Sequence, residues 1–449
     1  MTEKATLPQV AWPEITGKGL ECLVSLIKSL ETTQHLSTLE LERCQRIQLK
    51  VLAEYAARHS PFFAGRLRRA SLKPADFSKP GALQRLDVLH RRDIQRAGGA
   101  MRCAAVPPRH LPLNRGETSG STGEPVVVMR TALNRLFLMA MTMREHLWNA
   151  RDFNLRSTSV RANIPALAYK DDWGPPASLL YKTGRSQGIP ITADAAQQAA
   201  WIGDFDPGYL MHYPNSLEAL CDHCEKHAIK FENLRQIRSI GETLSPALRA
   251  RAQKVLGAKV VDTYSSNEAG VIAIECPIGG LYHIMAENLI VEILGEDGAP
   301  CKSGEIGRVT ITDLHNFATP LFRYDIGDYA EVAGPCSCGR GLPALKRILG
   351  RQRNLVAMPD GTRHWPLIGF HAFRDVAPMT QYQLVQHDSQ NIEMRLVVER
   401  KLTSVEEGKL REIVVAALAH PFAIRFTYFP GNIPRGPGGK FEEFICLVS

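Results

Sequence analysis

The sequence predicts an α/β fold: a large N-terminal domain of helix-flanked β-sheets with a β-barrel-like part, then a small α+β C-terminal domain. Three observations predict it. From about 118 to 275, short β-rich runs alternate with amphipathic helical spacings, the pattern of a sheet covered by helices. From 281 to 333 the pattern turns to β, as in meander or barrel strands. After Gly350-Arg351 the composition shifts again, into a compact α+β module. The 449 residues exceed what a single core organises, so domains 1–350 and 351–449 are expected.

The elements follow in order. Leu23, Leu26, Ile27 and Leu30, then Leu39, Leu41, Ile47, Val51, Leu52 and Tyr55, carry helical spacing over 20–58. Ser60-Pro61 ends the second run, because the residue before proline is pushed out of the helical region. The β-branched run 126–129 reads as a strand, with a helix over 131–149. Strands at 210–212, 237–240 and 260–263 are separated by helices at 215–228 and 246–256. Strands at 289–294 and 307–312 flank the turn Gly295-Glu296-Asp297-Gly298. The C-terminal module reads as a strand at 355–358, the turn Pro359-Asp360-Gly361, a strand at 392–398, a helix at 404–419 and a strand at 424–429.

Composition narrows the function classes. With 44% hydrophobic and 22% charged residues the chain has globular, soluble character, and no apolar run nears the ~20 residues of a membrane span. The start, Met1-Thr2-Glu3-Lys4, lacks the basic-then-apolar order of a signal peptide, so a cytoplasmic location is expected. The net charge of +8 is scattered without a basic block, which suits small anionic substrates better than nucleic acid. Ten cysteines without a secretory signal are expected as reduced thiols. A homodimer is an assembly open to such a chain.

Segment 118–125 packs Thr118, Ser119, Ser121 and Thr122 around Gly120 and Gly123, and Pro125 stops it. Glycines let backbone N–H groups approach a phosphate, and hydroxyls add donors. The same composition also makes an ordinary surface turn. It is no Walker loop, since no Gly-Lys-Ser/Thr closes it. Polar residues also gather where predicted strands end: Gly241-Glu242-Thr243 after Ile240, and Tyr264 to Gly270 after the 260–263 strand. Ligands of open α/β sheets bind beyond such ends. Arg323-Tyr324-Asp325-Ile326-Gly327-Asp328 and Pro437-Gly438-Gly439-Lys440 complete the series.

Five motifs in this order resemble those of the adenylate-forming enzymes: acyl-CoA synthetases, nonribosomal adenylation domains and luciferases. The resemblance is closer to the phenylacetate–CoA ligase-like branch, and it runs from His59-Ser60-Pro61 through Lys440. It implies an ATP- and Mg²⁺-dependent ligase that makes an acyl-adenylate from a small carboxylic acid. A thiol, coenzyme A first, or an amine then takes the acyl group. A non-catalytic adenylate-binding scaffold is the remaining alternative.

The resemblance also implies roles. Ser119, Gly120, Ser121, Thr122 and Gly123 would hold the β- and γ-phosphates. The backbone of Gly241, Glu242 and Thr243 and the ring of Tyr264 would hold adenine. Asp328 would accept from both ribose hydroxyls, and Arg351 would touch ribose or phosphate. Glu268 would bind Mg²⁺. Lys440 would bridge the carboxylate and α-phosphate, and residues 351–449 would move as a lid. His212, Tyr213, Ile240 and Gly241 are expected near the acid. Read alone, Tyr264 is equally a core aromatic, Asp328 a turn residue and Arg323 a strand-face charge. The chain departs from the family at the hinge, where Gln352-Arg353-Asn354 lacks the acidic residue, and in the hairpin Met358 to Trp365, which bears on the acceptor.

Cys276 and His283, with Cys336 and Cys338, are expected to hold a structural Zn²⁺. Three thiolates and an imidazole form a normal tetrahedral set with no open position. Cys221, Cys224 and His227 share one helix without a second ligand segment, so a packed helix is expected there.

Overall fold

The structure is a computed structural model and describes residues 9–117, 126–351, 356–361, 363–364, 373, 376–418, 420–434 and 443–448. It forms two compact units. The larger comprises Met1–Leu244 and Leu248–Ile348, the smaller Ser245–Ala247 and Leu349–Ser449.

In the larger unit the hairpin β1 (Asn114–Glu117) and β2 (Val127–Arg130) flanks segment 118–125. One sheet of twelve strands then dominates. Its members are β3 (Ser157–Arg161), β4 (Ala168–Lys170), β5 (Ser186–Pro190), β6 (Tyr209–His212), β7 (Gln236–Ile240), β8 (Lys259–Ser266), β9 (Gly270–Glu275), β10 (Tyr282–Ile284), β11 (Leu289–Leu294), β12 (Ile306–Asp313), β13 (Tyr324–Val332) and β14 (Ala344–Arg351). Their spatial order is β11-β12-β13-β14-β10-β9-β8-β7-β6-β3-β5-β4. Strands β5, β3, β6, β7 and β8 run parallel, and the sheet becomes antiparallel from β8 to β9.

The β-rich part is therefore not a separate barrel. Among the described residues it continues the parallel sheet, because β10 pairs with β9 on one side and with β14 on the other.

Alternation decides which face of the parallel strands is covered. Val160, Leu210, Ile237 and Val260 point to one face, into a core shared with Ala199, Leu217, Leu220 and Ala252. Helices Ala195–Phe205, Pro214–Lys226 and Pro246–Leu256 supply those partners. Cys221 and Cys224 sit in this core, and burial pushes their thiols up to about 12 and about 11. The packed-helix reading of that pair thus has a physical basis.

A second core lies among helices Leu20–Thr33, Thr38–His59 and Ala132–Trp148 and the antiparallel strands. The chain break at Ser60 is a double cap. Ser60 ends one helix, and its hydroxyl accepts from the Phe63 N–H at 3.3 Å to start the next, Pro61–Arg69. Deep in this core Arg144 grips Glu287 bidentately at 2.7 and 3.0 Å and donates to the Leu30 carbonyl at 2.7 Å, while Thr33 donates to Glu287 at 2.9 Å.

The smaller unit carries a hairpin, β15 (Val356–Ala357) and β16 (Arg363–His364), and a four-stranded sheet. The sheet order is β19 (Ala423–Tyr428), β18 (Asn391–Val398), β17 (Met379–Gln386), β20 (Phe444–Cys446). Helix Ser404–Leu418 links β18 to its parallel neighbour β19 and buries Leu410 and Val414 against Met394 and Leu396. Among the described residues no helix is long and apolar enough to cross a membrane.

Candidate active site and metal centre

Polar residues at the end of β8 and just beyond it meet residues of β13. Tyr264, near the end of β8, donates to Asp328 Oδ2 at 2.7 Å. Four residues on, in the turn to β9, Glu268 is 7% exposed and lies 3.4 Å from the hydroxyl of Tyr324. Tyr324 and Asp328 share β13, so β8, the turn after it and β13 together present two tyrosine–carboxylate pairs.

The aim of Asp328 has a local cause. The β12–β13 register shifts between Arg308 and Thr310, and the extra residues of β13 include Gly327 at φ +81°. The Gly327 N–H donates to Asp325 at 2.8 Å. A bulge of this kind bends the strand and re-aims the next side chain.

Gly241 stands at φ +77°, and a Cβ there would meet the Tyr213 ring at 3.0 Å. Only glycine satisfies both the left-handed backbone and the ring lying against it. Glu242 turns away from this edge and accepts from the Asn215 N–H at 3.0 Å, at the first turn of helix Pro214–Lys226. Its side chain therefore compensates a helix start. Thr243 is exposed and Ile240 half-buried.

His212 is fully buried, with one ring nitrogen 2.9 Å from Gln198 and the other 3.1 Å from the Tyr213 carbonyl. Burial lowers its pKa to about 4, so it is a neutral ring bound on both sides. It supports Tyr213 and offers no spare nitrogen to a substrate. Arg323 is likewise engaged: it donates to Glu292 at 3.1 Å and to the carbonyls of Gln84 and Leu86 at 2.9 and 2.6 Å. It ties the chain at 84–86 to β13. Ser119, Gly120, Ser121, Thr122, Gly123 and Lys440, and the side chain of Arg351, lie outside the described residues. Two clefts, of about 310 Å³ beside β11 and about 400 Å³ beside helix Pro61–Arg69, are lined by none of these residues.

Residues 118–318 match the family model described as AMP-binding enzyme. Across this segment the chain is similar to AMP-binding enzymes. It is 26% identical to a phenylacetate–coenzyme A ligase of Thermus thermophilus, over 92% of this chain and 98% of that protein. Its fold matches a 2-hydroxyisobutyryl-CoA ligase solved in the postadenylation state with 2-HIB-AMP, at TM-score 0.72 and 16% identity, covering 92% of this chain and 90% of that one. The same ligase with 2-HIB-AMP and CoA, in the thioesterification state, matches at TM-score 0.60 and 18% identity, covering 92% and 91%. Beside these similarities, the tyrosine–carboxylate pairs become the candidate nucleotide site.

In the same unit Cys276, His283, Cys336 and Cys338 come together, with one ligand atom from each within 4.8 Å of the others. His283 Nδ1 lies 3.2 Å from the Leu342 carbonyl, which leaves Nε2 facing the Cys338 sulfur at 3.1 Å. The Gly279 N–H and Arg340 approach the Cys276 sulfur at 3.4 and 3.7 Å. Gly279 has no room for a side chain, because a Cβ would collide with Cys336 Sγ. Arg340 also lies over the Trp148 ring at 4.1 Å, and Trp148 meets His283 edge-on. This donor set fits a tetrahedral ion with Zn–S near 2.3 Å and Zn–N near 2.0 Å. Its second sphere supplies a carbonyl for the imidazole and a cation for the thiolates.

The reading from sequence overlooked Tyr324 as the partner of Glu268. It also overlooked the polar group Glu145, Arg151, Arg161 and Arg238. Glu145 is held bidentately by Arg151 at 2.5 and 2.6 Å and approached by Arg238 at 3.6 Å. Burial would raise its pKa, but the two arginines more than offset this and hold it at about 2. No motif announces this group, since its members lie on a helix, a loop and two strands.

Proposed function

We propose that the protein activates a small carboxylic acid with ATP and Mg²⁺, then passes the acyl group from the acyl-adenylate to the thiol of coenzyme A. The observation that carries this reading is the paired Tyr264–Asp328 and Tyr324–Glu268 set, on a chain whose 118–318 segment matches the AMP-binding family.

Within it, a carboxylate oxygen of the acid attacks the α-phosphorus. The new O–P bond forms as the bond to pyrophosphate breaks. Asp328 offers two acceptor oxygens to the ribose hydroxyls. The Tyr264 ring and the backbone at Gly241 and Thr243 flank adenine. Ser119, Gly120, Ser121, Thr122 and Gly123 face the departing phosphates, and Arg351 touches ribose or phosphate. Glu268 would hold Mg²⁺, a hard cation that prefers oxygen ligands and would offset phosphate charge there. Lys440 places positive charge where the pentavalent phosphorus gathers negative charge. Motion of residues 351–449 would deliver and withdraw Lys440. That idea is supported by the separate postadenylation and thioesterification states of the 2-hydroxyisobutyryl-CoA ligase.

The test is ATP–pyrophosphate exchange over a panel of acids, followed by trapping with CoA or hydroxylamine. Exchange and a CoA thioester are expected. Exchange with no acid would reject adenylation, and a hydroxamate without any thioester would replace the thiol by an amine. Asp328→Ala should weaken ATP binding, because hydrogen bonds to a charged group contribute about 1.5–3 kcal/mol each. Unchanged affinity by calorimetry would return Asp328 to the role of a bulge residue.

We also propose that Cys276, His283, Cys336 and Cys338 hold a structural Zn²⁺, supported by their convergence and second sphere. The ion would supply folding free energy to loops with little apolar core of their own. Purified protein should contain about one zinc per chain. Chelation should lower the melting temperature before it alters nucleotide binding, and Cys338→Ser should do the same. Fully stable protein without zinc would remove the site.

A further inference from the structure

The parallel strands have one apolar face, under the helices, and one polar face. On the polar face β3, β6 and β7 run side by side, with Ser159 paired to Met211 and Met211 to Arg238. Arg161 follows Ser159 by two residues, so alternation places it on the same face, at the carboxyl edge of β3. Its Nη1 lies 3.0 Å from the Met211 sulfur. A thioether is a weak acceptor, and a guanidinium has five donors. Among the described residues Arg161 has no carboxylate partner. The nearby Glu145 carboxylate is already shared by Arg151 and Arg238, and Arg238 also donates to Thr263 at 3.4 Å. The next acid, Asp262, is turned to the opposite face, where Tyr282 donates to it at 2.9 Å. This edge therefore carries positive charge in excess, and it is half-buried.

We infer that Arg161, with Arg238 beneath it, binds a second anionic group on the acid that the enzyme activates, a carboxylate or a phosphate. The inference rests on the adenylation reading. The geometry suits it. The Tyr264 edge of β8 and the Arg161 edge of β3 are three strand spacings apart, roughly 14 Å. An acyl group extending from an adenylate at Tyr264, past Gly241 and Tyr213, ends at Arg161. A planar guanidinium meets either anion with two parallel hydrogen bonds.

The experiment compares acids in matched pairs on the intact chain: a dicarboxylic acid against its half-amide, and a phosphorylated hydroxy acid against its parent. Wild-type exchange should favour the anionic member of at least one series. Arg161→Met should cut that preference on the order of 10- to 100-fold, as expected for losing a charge-assisted pair, and Arg161→Lys should restore part of it. The series that responds tells carboxylate from phosphate. A preference for the neutral members, or the same preference in Arg161→Met, would overturn the inference. Thermal stabilisation by the acids in the presence of AMP reads the site without turnover. Stabilisation by an anionic member that Arg161→Met loses supports the inference, and no stabilisation by any anionic member overturns it. Stabilisation without exchange would reject adenylation and leave the anion site standing.

Discussion

Replacing Lys440 with alanine lowers the rate of adenylate formation by about 10²–10³-fold while leaving ATP binding largely intact; that is the loss expected when one positioned charge is removed from a transition state. The charge would matter little in the ground state if, as proposed, Mg²⁺ already neutralises the phosphates. It matters when the acid's oxygen and the departing pyrophosphate both carry negative charge around one phosphorus. The defect should therefore fall on the exchange rate and not on the affinity for ATP. Transfer from a pre-formed acyl-adenylate to the thiol should be spared, because in the proposed scheme Lys440 would serve only the first step. Exchange at the wild-type rate would remove Lys440 from the chemistry, and with it the need for residues 351–449 to complete the site.

Replacing Arg144 with methionine destabilises the larger unit by about 3–5 kcal/mol, the range for breaking a buried pair and stranding one charge. Arg144 and Glu287 are 4% and 0% exposed at their side chains. Methionine fills much of the same volume, so cavity formation is a minor part of the loss. Glu287 keeps only the Thr33 hydroxyl at 2.9 Å from that cluster. The Leu30 carbonyl loses one of its two donors and keeps the Gln34 N–H at 3.2 Å. Adding Glu287→Gln should recover part of the stability, because the stranded charge is gone. Chemical denaturation of the single and double variants measures both. A double variant no more stable than Arg144→Met would mean that packing, not charge, sets the cost.

Much of the fold was legible because its signals are local. The strands Gln236–Ile240 and Leu289–Leu294 and the helices Ala132–Trp148 and Pro246–Leu256 stand within a residue or so of where periodicity put them. Strand Ser157–Arg161 was not legible. Its sequence Ser-Thr-Ser-Val-Arg is mostly polar, because Arg161 on one face meets the Met211 sulfur and Thr158 on the other hydrogen-bonds Gln187 at 2.9 Å. Hydrophobic alternation cannot announce a strand whose buried face is itself part polar. The continuity of the β-rich part with the parallel sheet was not legible for a related reason. Strand patterns show that segments are extended, but pairing of β10 with β14 is a tertiary fact about residues far apart in the chain.

At the site, Tyr264, Asp328 and Glu268 were legible as members of ordered motifs, though their pairing partners were not. His212 and Glu242 were placed near ligands because they neighbour Tyr213 and Gly241. Side chains next to each other on a strand point to opposite faces, and this turns His212 into the core.

The position of β10 also matters while the chain is being made. Its partner β9 immediately precedes it, but β14 follows about sixty residues later, with Ala344 opposite His283. At ~5–20 residues per second, a ribosome leaves one edge of β10 without its neighbour for roughly 3–12 s. An open strand edge is a template for wrong pairing. Ribosome-stalled chains that end before residue 336 should therefore be cut by protease near β10, and chains that present residue 351 outside the exit tunnel should resist. Equal cleavage of both would show that β14 is not what closes that edge. His283 waits through the same interval, since Cys336 and Cys338 are made only just before β14.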